Sequence, residues 1–143
     1  MINLKIIKNK KHYYNTHNIK LKSIHRNNIL HYGDWGIITI NKGTITPNQL
    51  EAMRFILAKN IKYIGKLWIK ILPNHPITKR PKDSRMGAGK GKIDKWVFVL
   101  RPGDIIFEAT KISKNILLPM FKLIKSKTIL NIKIIYKNDI YSN

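Results

Sequence analysis

Cysteine is absent, and acidic side chains are scarce: 7 Asp and Glu stand against 28 Lys and Arg, for a formal net charge of +21 at pH 7. Without thiols there are no disulfides and no thiolate metal sites, and the redox compartment stays open. The acids (Asp34, Glu51, Asp83, Asp94, Asp104, Glu108 and Asp139) are scattered singly, which offers no two-metal cluster for hydrolytic chemistry. No apolar run approaches the roughly 18 residues that a spanning helix needs. The start of the chain carries no secretory h-region. Arginine is rare as well, occurring at Arg26, Arg54, Arg80, Arg85 and Arg101, while Ile, Lys and Asn dominate. Those three residues have A/T-rich codons, so the gene reads as one under A/T pressure, from an organelle or an A/T-rich free-living organism.

What is present is a single domain's worth of chain, 143 residues, long enough to bury a real core. An excess of +21 opposes compaction by self-repulsion unless a polyanion screens it, which makes nucleic acid the default partner. An anionic membrane is the second candidate, but its helices gather cations on one amphipathic face. Here the cations are spread over both termini and the centre of the chain.

The centre is the stretch Lys79 to Lys92, KRPKDSRMGAGKGK, with six basic side chains and one acid, Asp83. It has no apolar period and reads as a loop between the apolar runs LWIKIL and WVFVL. Glycine lets a backbone take positive φ and approach a surface closely, while Lys and Arg neutralise phosphates. A Walker loop is excluded: Ser84 and Met86 occupy its first glycine position, and no Ser or Thr follows Lys90 or Lys92. A dinucleotide fingerprint is excluded too, because Gly87, Gly89 and Gly91 lead into a strand rather than a helix. A solvated linker is the alternative.

Along the chain, residues 1–32 read as a basic extended arm. Lys8, Lys10, Lys11, Lys20, Lys22 and Arg26 are placed to meet phosphates, and His12, Tyr13, Tyr14, His17 and His25 to stack on bases. A merely solvated terminus is the other reading. The domain is expected over 33–137 and a polar tail over 138–143. Trp35–Ile40 reads as a strand with Asn41–Gly43 as its turn. Thr46-Pro47-Asn48-Gln49 is a capping box with proline at the first helical position. Leu50, Met53, Leu57, Ile61 and Ile64 then form an apolar stripe to about Tyr63. Arg54, Lys59 and Lys62 lie off that stripe, to face either RNA or solvent. Strands are expected at Lys66–Leu72, with Pro73 and Pro76 ending the pairing, at Trp96–Leu100 and at Ile105–Phe107 after a Pro102-Gly103-Asp104 turn. Ser113 opens a second helix to about Lys125 that Pro119 either kinks or delays. A last alternating strand covers Leu130 to Tyr136. The expected fold is α+β: an antiparallel or mixed sheet sandwich with two helices on one face, plus the basic arm and the Gly/Lys/Arg-rich loop.

Five segments in order resemble the bacterial and organellar branch of the large-subunit ribosomal protein L-sixteen family. They are Thr44–Thr46 with Gln49–Arg54, Gly65–Pro73, Pro76–Thr78, Arg85–Gly91 followed by Trp96, and Arg101–Gly103. Tyr63 stands where the family has a basic residue, the arm is Lys/Asn/Tyr-rich rather than arginine-rich, and the last third follows the family only in pattern. The resemblance implies a structural protein of the large ribosomal subunit, bound to its RNA near the central protuberance and the peptidyl transferase centre, that helps position transfer RNA in the aminoacyl and peptidyl sites. It implies neighbouring ribosomal proteins as partners and no membrane, small-molecule substrate, cofactor, metal or catalytic residue. Carried onto this sequence, Lys79, Arg80, Lys82, Arg85, Lys90 and Lys92 are the phosphate contacts. Gly87, Gly89 and Gly91 are the close-approach backbone, and Met86 either wedges against a base or packs within the loop. The lysine-shifted sequence points to a mitochondrial ribosome, with plastid or the cytoplasm of an A/T-rich bacterium as alternatives. An RNA-processing enzyme and a free RNA-binding regulator are the rival functions.

Overall fold

The computed structural model describes residues 29–137 apart from Lys62 and Ala88. The described elements run β1 (Trp35–Thr39), β2 (Gly43–Ile45), α1 (Pro47–Ile61), β3 (Leu67–Ile69), β4 (His75–Lys79), β5 (Lys92–Leu100), β6 (Ile105–Ala109), α2 (Lys114–Lys125) and β7 (Ile132–Tyr136). They form two antiparallel sheets, of order β3-β6-β1-β7 and β2-β5-β4, with two helices, so the fold is α+β as expected. β5 pairs with β2 and with its sequence neighbour β4, while its other sequence neighbour, β6, belongs to the larger sheet.

β1 is the centre of the larger sheet, and all five of its residues are buried. Its two faces are covered by different parts of the chain, so it needs apolar or small residues on both. Leu30 is itself buried and lies over Gly36, so residues 29–32, read above as the end of the arm, already pack on the domain.

α1 starts as its sequence dictates. The Thr46 N–H donates to Gln49 Oε1 (2.9 Å) and the Gln49 N–H donates to Thr46 Oγ1 (3.3 Å), the reciprocal bonds of a capping box. Leu50, Met53, Leu57 and Ile61 are buried. Ile64 is not: the N–H groups of Ile64 and Gly65 both donate to the Ile61 carbonyl, so the helix has closed before Ile64, which stays half exposed. In α2, Leu117, Met120 and Ile124 are buried and join α1 residues, Trp35, Ile37, Phe98, Leu100 and Phe107 in one core. Pro119 does not delay the helix, which begins at Lys114 behind the cap residue Ser113 and runs through the proline. It sits on the exposed side, where water can serve the Asn115 carbonyl whose helical donor it lacks.

Two strand expectations are corrected. The run Lys66–Leu72 yields only β3, three residues long, although the Lys70 N–H still donates to the Ile106 carbonyl (3.0 Å). Pro76 does not end pairing; it stands opposite Trp96 inside β4. β4 is an edge strand, where a proline with its nitrogen on the unpaired side forfeits no ladder bond.

Candidate nucleic-acid interface

The basic stretch is the end of a hairpin rather than a free loop. β4 and β5 pair from His75↔Val97 to Lys79↔Lys92, with a bulge between Ile77 and Thr78. Lys79 and Lys92 are therefore strand residues, and residues 80–91 form the connection. β5 carries nine residues in two halves of opposite character. Val97, Phe98 and Leu100 are buried in the core, whereas Lys92, Ile93, Asp94 and Lys95 are exposed. A bulge increases the local twist of such a ribbon.

Within the connection the Ser84 N–H donates to the Pro81 carbonyl (3.2 Å). Gly87 (φ +93°) and Gly89 (φ +79°) take the left-handed backbone that side chains disfavour, and a Cβ at either would meet nothing within 4 Å. Their backbone is thus open to an approaching surface. Gly91 differs: a Cβ there would run into the carbonyl of Lys79 and the amide of Arg80, so its smallness serves the closure of the hairpin itself. Lys79, Arg80, Lys82, Arg85, Lys90 and Lys92 are all exposed, and Met86 at the tip keeps 98% of its surface in water. The arrangement gathers cations on a narrow ribbon with an apolar point, a shape suited to phosphate-lined grooves.

The arm residues Lys8, Lys10, Lys11, Lys20, Lys22 and Arg26, with the rings of His12, Tyr13, Tyr14, His17 and His25, lie outside the described residues, as does Lys62. Arg54 is held by its own helix. Its Nε donates to Glu51 Oε2 (3.0 Å) and its Nη2 to Glu51 Oε1 (2.5 Å). That hydrogen bond holds the Glu51 carboxyl below its ordinary range and raises the guanidinium above its own. Arg54 would have to give up this fork to bind a phosphate.

Sequence reasoning missed a cluster where the arm joins the domain. Glu108 is fully buried in β6, and its Oε2 accepts the backbone N–H groups of Tyr32 (2.8 Å) and Gly33 (3.1 Å). Lys70 Nζ lies 3.5 Å from the other oxygen, an ion pair without a hydrogen bond, and 4.6 Å from the centre of the Tyr32 ring. Tyr32 in turn stacks on Trp68 of β3 at 5.8 Å between centroids. The available signal was a lone carboxylate inside the apolar run Ile105-Ile106-Phe107-Glu108-Ala109, which demands a buried partner.

Among the described residues no group of three or more His, Asp or Glu is placed to hold a metal ion. No helix among them is long and apolar enough to cross a membrane. A family model for ribosomal protein L16p/L10e matches residues 5–135, which takes in the capped helix, both sheets and the whole basic hairpin. The chain belongs to the ribosomal protein L16p/L10e family, and so to the structural proteins of the large ribosomal subunit.

Proposed function

We propose that the chain binds large-subunit ribosomal RNA near the central protuberance and the peptidyl transferase centre through the β4–β5 hairpin, and helps position transfer RNA in the aminoacyl and peptidyl sites. The observation that carries this reading is the exposed cationic ribbon on a rigid base: six Lys and Arg side chains at the end of a strand whose other half is core. Folded RNA is recognised largely through shape, backbone and 2′-hydroxyls, which calls for many cations and a backbone free to come close. Gly87 and Gly89 supply the second requirement. The function needs no chemistry from the protein itself.

Replacing Arg80, Arg85 and Lys92 together by alanine tests it. These side chains are exposed, so the fold is expected to survive. The salt dependence of RNA binding is expected to flatten by roughly two to three units of slope, at about 0.7–0.9 per lost phosphate contact, and subunits carrying the variant to handle transfer RNA poorly. Unchanged RNA affinity and unchanged translation would remove the hairpin from the interface.

The mitochondrial assignment rests on the Ile/Lys/Asn bias and the lysine-rich arm. Cosedimentation of the chain with mitochondrial large subunits after a high-salt wash supports it; recovery only with plastid or cytoplasmic subunits refutes it.

A further inference from the structure

The row of rings at the arm junction takes no part in the hairpin. His31 and Tyr32 lie 6.4 Å apart at 53°, and Tyr32 and Trp68 lie 5.8 Å apart at 28°. Trp68 and Lys70 are two residues apart along one extended segment, so their side chains leave it on the same face, and both reach the Tyr32 ring. Tyr32 nevertheless keeps 63% of its surface exposed, so much of the side chain stays open to solvent despite these neighbours. Its backbone is fixed from beneath by the buried Glu108 carboxylate.

An exposed tyrosine on an ordinary surface is free to change rotamer. This one is braced by a second ring, a cation and a buried anion. A flat π-face held at a set tilt and open outward is the element on which unpaired bases stack, at low entropic cost because the ring is already ordered. The position fits. Tyr32 is the last residue of the stretch read from the sequence as a basic arm. His31 and Lys70, which neighbour the Tyr32 ring, also line a cleft of about 330 Å³ together with Asn74 and Asp104.

We propose that Tyr32 is a stacking platform for an unpaired base of large-subunit RNA, with Trp68 and Lys70 as its positioning residues. The platform rests on the reading that ribosomal RNA is the partner, and it adds a contact to bases where the hairpin contacts backbone.

The test uses the full chain and two probes of similar charge, octariboadenylate and inorganic polyphosphate, which has no bases. Tyr32→Leu keeps apolar bulk against Trp68 but removes the π-face. It is expected to weaken octariboadenylate binding by roughly 5- to 100-fold and to leave polyphosphate binding unchanged, with Tyr32→Phe restoring the RNA affinity. An unchanged octariboadenylate affinity in Tyr32→Leu, or an equal loss on both probes, overturns the platform. The Arg80/Arg85/Lys92 triple alanine variant separates the two readings, since it is expected to weaken both probes. If it weakens neither while Tyr32→Leu still acts on the RNA alone, the hairpin is wrong and the platform stands.

Discussion

Lys79 and Lys92 stand opposite each other as the last cross-strand pair of the β4–β5 ladder. Like charges directly opposed in an antiparallel pair are destabilising by a few tenths to about 1 kcal/mol. The hairpin mouth therefore holds together against this repulsion, which an anion bound between the two lysines would relieve. Lys79→Glu is expected to reverse the sign of this pair. Amide exchange of Thr78 and Ile93 in the free chain should slow, while RNA binding weakens. Faster exchange in the variant would mean that the two lysines do not oppose each other in solution.

Gly91→Ala places a methyl group against the Lys79 carbonyl and the Arg80 amide, backbone atoms that cannot turn aside. The expected cost is about 1–3 kcal/mol, as for other overpacked sites, read as a lower Tm and rapid exchange along Lys79. Gly87→Ala has open space and strains only its own φ, so the same ladder amides should keep their protection. If both variants behave alike, Gly91 has no packing role.

Glu108→Ala leaves two backbone donors without their buried acceptor and the Lys70 ammonium without its counter-charge. Breaking such an arrangement from one side costs roughly 3 kcal/mol. Glu108→Gln keeps an oxygen for Tyr32 and Gly33 and should cost less than half as much. Thermal unfolding of the two variants separates these outcomes, and equal losses would show that the charge itself, rather than the accepted hydrogen bonds, holds the junction.

Glu51 titrates below its ordinary value in the folded chain because Arg54 bonds its ionised form. Its contribution is thus complete above the unfolded carboxylate range and is lost as pH falls through that range toward the folded value. Both partners are more than a third exposed, and solvent screening limits the contribution to no more than about 1 kcal/mol. The stability difference between wild type and Glu51→Gln should be visible at neutral pH and vanish in acid. A difference that persists in acid would trace to the helix rather than to the pair.

Local chemistry made much of this legible beforehand. Thr46 and Gln49 announce the start of α1, and the alternation of Leu130, Ile132 and Lys133 announces β7, because each signal is complete within a few residues. β4 was hidden because Pro76 argues against pairing wherever a strand is central, and nothing in the sequence says that this strand lies at an edge. The partition of strands between two sheets was hidden for a related reason: β5 finds β2 across the whole of α1, and sequence adjacency pointed instead to β6. In the interface, the cations of residues 79–92 were readable from composition. The role of Gly91 was not, since open and crowded glycines look the same on paper. The junction at Tyr32 and Glu108 depends on a contact across 76 residues, beyond the reach of any local pattern.

β5 passes without a break from the exposed ribbon to Phe98 and Leu100 in the core. Tension applied at the tip therefore runs along one strand, past the bulge opposite Ile77 and Thr78, into the aromatic packing. If the hairpin grips RNA as proposed, a pull on its tip would reach the core through β5 itself.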